Sequence, residues 1–311
     1  MEATPQAEDQ QAERPLKLRH WLGFALLCAI WSTTWMAIRV LVAEVPPFRA
    51  ASLRFAIASA FLLGLAAIRR DQWPKSSREW RVVTMLGVTM MTIPFGVVFW
   101  AEQYVTSSMT AVLSATTPLV IALLTPVMLR QPVPRRAVFA MVIGFGGIVA
   151  LFWTGMSLSP HRLAGGLAIL AGAVSTGWSA HYAKRNAQGI SPVVSTGLQL
   201  AVGTVLLGAL SMVVERDAES HWSGKAIAAL LFLAVMGSAV AFAVWYWLLK
   251  RMRPYQLSTI GLIIPVGAML EGALLLHEPA PPMVIAAVLV VLGAVATVLR
   301  AEPEKVLSLR D

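Results

Sequence analysis

The chain is 311 residues long, 57% hydrophobic and only 13% charged, with a formal net charge of +9 and a single cysteine. Soluble domains carry about 25% charged residues, so this composition excludes an ordinary water-soluble fold, and one cysteine excludes an intramolecular disulfide. The positive charge invites a nucleic-acid reading, which the positions of the charges remove.

Residues 1–19 read as a polar tail. Cys28 lies in LLCA, which resembles a lipoprotein cleavage site, but Leu27 stands where a small residue is required. The apolar run around it is too long for a signal peptide, so an uncleaved membrane helix is expected. Further apolar segments follow, giving ten in all: 21–42, 48–68, 82–103, 106–129, 134–154, 162–183, 191–214, 224–249, 255–276 and 281–300. Each approaches the roughly 20 residues that cross about 30 Å of hydrocarbon. Each is predicted helical, because lipid offers no partner to an open backbone group. Residues 301–311 form a second polar tail.

Nineteen of the 25 Lys and Arg residues fall in the two tails and in the loops after the second, fourth, sixth and eighth segments. Basic residues mark cytoplasmic loops. The alternation therefore predicts an all-α integral membrane protein with ten transmembrane helices and both termini cytoplasmic. The charge is topological, its partner is the lipid bilayer, and no nucleic acid is expected. Trp21, Trp73, Trp80, Trp153 and Trp222 fall at predicted helix ends, where an interfacial aromatic belt is expected.

STTW at 32–35 returns as STGW at 175–178. Around it, GFALLCAIWSTTWMAI (23–38) aligns with GLAILAGAVSTGWSAH (166–181), FGVVFW (95–100) with FAVWYW (242–247), and Pro118 with Pro265. The chain thus reads as two copies of a five-helix unit, 20–155 and 162–300. A second copy that follows an odd number of crossings enters the membrane upside down. The predicted fold is two inverted five-helix repeats, an arrangement suited to alternating access.

WSTTW in helix 1, PPFRAASLRF opening helix 2, and the Pro118 and Pro265 helices running into RQP (130–132) and HEP (277–279) occur here in order. In these features the chain resembles the EamA-type exporters of the drug/metabolite transporter superfamily, over about residues 20–300. Gln131 departs from the glutamate often found at the end of helix 4, whereas Glu278 fits. The resemblance implies a bacterial inner-membrane secondary exporter of small metabolites, most similar to the aromatic and neutral amino-acid exporter branch. It also implies that helices 5 and 10 are peripheral.

Counting along antiparallel spans places Ser32, Thr92, Thr117, Ser175 and Ser238 near the midplane, as hydrogen-bonding groups for a solute or as helix glue. Trp35 and Trp178, one turn from Ser32 and Ser175, suit a cavity for an apolar side chain or ordinary packing. Trp100, Tyr246 and Trp247 are candidate gates at the two mouths, or belt residues. Pro118 and Pro265 are candidate hinges or fixed kinks, with the carbonyls of Ser114 and Gly261 freed. Arg54 and Glu271 are charges inside spans, read as an ion pair or as a proton-coupling site. His181 is placed at an interface, and Arg39 is expected to snorkel.

The sequence contains no G-x-x-x-x-G-K-[ST], G-x-S-x-G or H-E-x-x-H motif. No catalytic residue, cofactor or metal is expected, and the chain is read as a monomer moving a small molecule, an amino acid first. A purine, a cationic drug or a nucleotide-sugar is the alternative cargo. A channel or an intramembrane enzyme is the alternative class.

Overall fold

The computed structural model describes residues 16–105, 110, 113–129, 133–152, 159–187, 189–249, 251–252, 254–275 and 282–300, and no strand occurs among them. Helix α1 spans Leu18–Val42, α2 Pro47–Ile68, α3 Ser77–Ala101, α4 Thr117–Leu129 and α5 Arg135–Phe152. Helix α6 spans Pro160–Asn186 and α7 Pro192–Val214, α8 runs from Gly224 to Leu249, and α9 and α10 span Ile260–Leu275 and Pro282–Leu299. The end of the bundle where α1 starts is termed proximal here, and the end holding the α1–α2 turn distal.

Among the described residues, six helices are long and apolar enough to cross a membrane: Leu18–Val42, Pro47–Ile68, Ser77–Ala101, Pro160–Asn186, Pro192–Val214 and Gly224–Trp245. Their outer faces carry large apolar groups, with Val205 68% and Met212 77% exposed, the reverse of a soluble surface. Trp21, Trp73, Trp80 and Trp222 are exposed near helix ends, as the belt reading expects, and Trp153 lies outside the described residues.

Helix starts follow local chemistry. Ser76 caps α3 by accepting from the Glu79 amide at 3.2 Å, while Glu79 accepts from the Ser76 amide. Ser159 and Ser223 cap α6 and α8, and prolines open α2, α6 and α7, where a missing N–H costs nothing. These caps carry α3 and α6 further into the polar loops than hydropathy predicts. At α4 the apolar segment is interrupted. The chain turns at 115 and 116 and the helix restarts at Thr117, so Pro118 falls in a first turn instead of a helix interior.

Helices α2 and α7 pack antiparallel along their lengths. Ser52 Oγ donates to the Thr204 carbonyl at 2.9 Å and Ser59 Oγ to the Gly197 carbonyl at 2.8 Å, seven residues apart on both helices. A Cβ on Gly197 would stand 2.6 Å from Leu63 Cδ2, so glycine is what permits this approach. The largest apolar cluster, around Leu41, Phe55, Phe99 and Leu233, joins α1, α2, α3, α7 and α8. A second cluster, around Met141, Leu262 and Val291, joins α4, α5, α9 and α10.

The neighbour pattern has an internal order. Helix α1 packs on α8 and α9, as α6 packs on α3 and α4. Helix α2 meets α8 as α7 meets α3, α2 meets α7, and α5 meets α10. Each of these contacts maps onto another of them, or onto itself, when a helix is exchanged with the one five places along. The order extends to fine structure. Both α3 and α8 contain a π-helical turn, at Gly87–Thr92 and Val235–Val240. In each, one hydroxyl reaches five residues back: Thr92 Oγ1 to the Gly87 carbonyl at 2.9 Å, and Ser238 Oγ to the Leu233 carbonyl at 3.0 Å.

Candidate functional site: a buried guanidinium at the π-turn of α8

Arg54 lies on α2, 2% exposed. Its Nε donates to Ser238 Oγ at 3.0 Å and one Nη to the Gly237 carbonyl at 3.3 Å. Ser238 gives its hydrogen to Leu233, which leaves a lone pair for the guanidinium. The Gly237 carbonyl also accepts from Trp31 Nε1 at 3.3 Å, so α1, α2 and α8 converge on the π-turn. The guanidinium carbon stands 5.1 Å from the Phe95 ring centroid and 5.9 Å from those of Phe55 and Phe99. Aromatic faces attract a cation, which partly offsets its desolvation. The second Nη is buried without a hydrogen-bond partner among the described residues. No carboxylate contacts Arg54 among the described residues, and the side chain of Glu271 lies outside that set.

Every hydroxyl singled out in the sequence has its hydrogen on a carbonyl. Ser32 donates to Cys28 at 2.8 Å, Thr117 to Ser114 at 2.7 Å, and Ser175 to Thr89 of α3 at 2.6 Å. Thr92 and Ser238 bond within their π-turns. These groups hold lone pairs and no free hydrogen, so they can accept from an ammonium but not donate to a carboxylate. Ser32 is also closed in: a Cβ on Gly267 would stand 2.1 Å from its Oγ. The Ser114 carbonyl, expected to be freed by Pro118, is the one that Thr117 bonds.

Trp35 is half-buried against the main apolar cluster, with its Nε1 enclosed and without a hydrogen-bond partner among the described residues. Its repeat mate Trp178 stacks on Tyr182, centroids 4.9 Å apart. Pro118 touches α9, with its Cγ 3.2 Å from where a Gly261 Cβ would stand, and Pro265 sits buried inside α9. Trp247 is 38% exposed and lies over His20 with centroids 4.9 Å apart, at the proximal end. The Tyr246 side chain lies outside the described residues.

Trp100 packs edge-on against Tyr104 and lines a distal cleft of about 410 Å³ with Phe48, Gln103 and Glu215. Two carboxylates that the sequence reading passed over shape this end. Glu215 accepts from the Phe48 and Arg49 amides at 2.8 and 2.9 Å, capping α2. Glu44 accepts from Ser223 Oγ at 2.7 Å and from the Ser223 amide at 3.0 Å, at the start of α8. The Ser223 hydroxyl and then its amide hold the Glu44 carboxyl below its ordinary value. Ser223 and its carboxylate partner are 179 residues apart in sequence. Arg39 is exposed near the distal end of α1 and donates to the Glu102 carbonyl at 2.6 Å. His181, near the end of α6, is 3% exposed between α4 and α6.

A helical bundle with an apolar exterior and helices interrupted by π-turns defines a multi-pass membrane protein. The EamA-like transporter family matches residues 19–153 and again 163–300, and the chain belongs to that family, a family of membrane transporters. Relatives include the uncharacterized transporter YoaV of Bacillus subtilis, 26% identical over 258 residues, covering 83% of this chain and 88% of that protein. PecM of Dickeya dadantii is 26% identical over 265 residues, covering 85% and 86%. The uncharacterized inner membrane transporter YedA of Escherichia coli is 28% identical over 247 residues, covering 79% of each. A crystal structure at 22% identity shares the fold, with a TM-score of 0.72 over 91% of this chain and 96% of that one.

Proposed function

We propose that the chain is a bacterial inner-membrane secondary transporter that exports small zwitterionic amphiphiles, aromatic and other neutral amino acids first. One observation supports the solute class: a buried guanidinium with an N–H unpartnered among the described residues, enclosed by Phe55, Phe95 and Phe99. A carboxylate is the natural partner of such a group, and the rings suit an apolar side chain. Trp35 lies in the same cluster and offers a second donor unpartnered among the described residues. Hydroxyls with bare lone pairs, at Thr92, Thr117 and Ser175, suit the ammonium, while Ser238 holds the guanidinium. A buried cation disfavours a cationic drug as cargo.

The mechanism is alternating access by ten helices in two inverted repeats, with both termini and the proximal end in the cytoplasm. The exchange order of the helix contacts supports it, as does the double family match. Helices α3, α4 and α6 rock against α1, α8 and α9, with Pro118 and Pro265 as hinges and Trp100, Tyr246 and Trp247 as gates. The name of YedA supports the inner membrane.

Counterflow in proteoliposomes tests this. Loading with L-phenylalanine, L-tryptophan or L-leucine should give saturable, trans-stimulated uptake of the labelled amino acid, and the corresponding amino-acid amides should compete at least tenfold more weakly. Equal competition by the amides removes Arg54 as the carboxylate anchor. Flux without saturation or trans-stimulation identifies a channel and ends the transporter reading.

A further inference from the structure

His181 on α6 is enclosed, and the mechanism above makes no use of it. Its Nδ1 lies 2.7 Å from the Gly177 carbonyl oxygen, one turn back in the same helix. A carbonyl only accepts, so Nδ1 carries a hydrogen whatever the charge on the ring. The other nitrogen, Nε2, lies 2.8 Å from Thr125 Oγ1 on α4. That oxygen is in turn 2.7 Å from the Ile121 carbonyl oxygen. The single hydroxyl hydrogen of Thr125 therefore has two acceptors in reach, and His181 decides between them. With the ring neutral, Nε2 is bare and the hydroxyl donates to it. When a proton from solvent adds to the Nε2 lone pair, Nε2–H donates to Oγ1 and the hydroxyl turns to Ile121. Both ring nitrogens are satisfied in both states without displacing a heavy atom. A buried imidazole with one fixed donor as neighbour would be satisfied in only one of them.

The position adds weight. Helices α4 and α6 run parallel and pack tightly one turn away, where a Cβ on Gly177 would stand 2.6 Å from Val120 Cγ1. Helix α6 ends at Asn186, about one turn beyond His181, and an imidazolium there sits near a helix C-terminus, the end with negative partial charge. Helix α4 brings no charged group between Thr117 and Leu129. On α6 the neighbours are Tyr182, Lys184 and Arg185, and Arg185 donates to the Met128 carbonyl at 3.2 Å. The start of α3 carries Arg78, Glu79 and Arg81, with Glu79 engaged in its own cap, and α5 starts with Arg135 and Arg136. Among the described residues no carboxylate is hydrogen-bonded to either ring nitrogen.

We infer that His181, with Thr125 as its switching partner, is a proton-binding site at the α4–α6 contact, and that its proton is the one coupled to transport. The coupling rests on the transport reading above; the proton site does not. Two measurements on the full chain test them separately. In nanodiscs, the imidazole ¹⁵N signals absent from His181→Gln should show Nδ1 protonated throughout and Nε2 gaining its proton as the pH is lowered. Thr125→Val should displace that gain along the pH axis. A ring whose Nε2 stays in one state at every pH at which the protein remains folded, or which is indifferent to Thr125→Val, overturns the site. In proteoliposomes, a pH gradient should drive L-phenylalanine accumulation by the wild type. His181→Gln should lose at least tenfold of this drive while keeping exchange at equal pH. Gradient-driven accumulation that survives His181→Gln, or wild-type exchange without any gradient drive, overturns the coupling. Absence of exchange for every amino acid tried sinks the solute assignment instead and leaves the nitrogen titration to decide the proton site.

Discussion

Ser32 of α1 and Gly267 of α9 are fitted to each other so closely that a Cβ on Gly267 would stand 2.1 Å from Ser32 Oγ and 2.8 Å from its Cβ. Ser32 cannot swing away easily, because its hydroxyl is bonded to the Cys28 carbonyl. Gly267→Ala should therefore force α1 and α9 apart. Overpacking of this kind costs about 1–3 kcal/mol. Ser32→Gly in the same chain should restore most of that loss, and a double-mutant cycle of thermal unfolding in detergent measures the coupling. Additive effects of the two substitutions would mean that the helices do not meet there.

The π-turn of α8 makes a different demand. Ser238→Ala removes the acceptor of Arg54 Nε and leaves a second buried guanidinium donor unsatisfied, which costs about 2 kcal/mol. Ser238→Thr keeps the oxygen and should cost less than half as much. Transport by Ser238→Ala should fall with the anchor disordered, and a lower apparent affinity for L-phenylalanine, with stability corrected for, is the expected signature.

Hydropathy and charge alternation made the membrane class and the helical segments legible, because lipid imposes apolar length on any crossing chain. The start of α4 was not legible. Residues 106–129 carry no charge and read as one segment despite the Ser and Thr residues of their first half, and the turn at 115 and 116 falls beside Pro118 and the Thr117 hydroxyl. The hydroxyl positions could be read from the repeat, but their partners could not, since Ser175 finds Thr89 86 residues away. Arg54 shows the limit most clearly. A charge inside a span suggests a carboxylate partner, and the observed acceptors are a serine oxygen and a carbonyl exposed by a π-turn. Such turns arise from backbone register, which no residue pattern announces.

Glu44 gives the distal end a pH dependence. Its carboxyl is held below its ordinary value by the Ser223 hydroxyl and then the Ser223 amide. A carboxyl depressed in the folded state contributes in full above its unfolded value, about 4.3, and its contribution is lost as pH falls through the lower folded value. The difference in unfolding temperature between wild type and Glu44→Gln should be constant from pH 7 to about 5 and close below about 4. A difference that persists unchanged at pH 3 would show that the carboxylate charge is not what holds the α8 start to the α1–α2 turn.

Glu215 caps a helix to which it is not adjacent in sequence. Its two oxygens take the Phe48 and Arg49 amides of α2, and the Arg49 guanidinium returns to the Glu215 and Ala218 carbonyls, both at 3.0 Å, and to Ser220 Oγ at 2.7 Å. The connector after α7 is thus tied to the start of α2 from both sides. Glu215→Ala removes the acceptor for two first-turn amides, and loss of such a cap costs about 1–2 kcal/mol. Arg49→Ala leaves the cap but frees the connector. Limited proteolysis separates the two: cleavage within residues 216–222 should quicken severalfold in Arg49→Ala with little change in unfolding temperature. In Glu215→Ala both should change. Equal protection of the connector in Arg49→Ala and wild type would show that the guanidinium does not fasten it, and that the distal cleft owes its shape to the carboxylate alone.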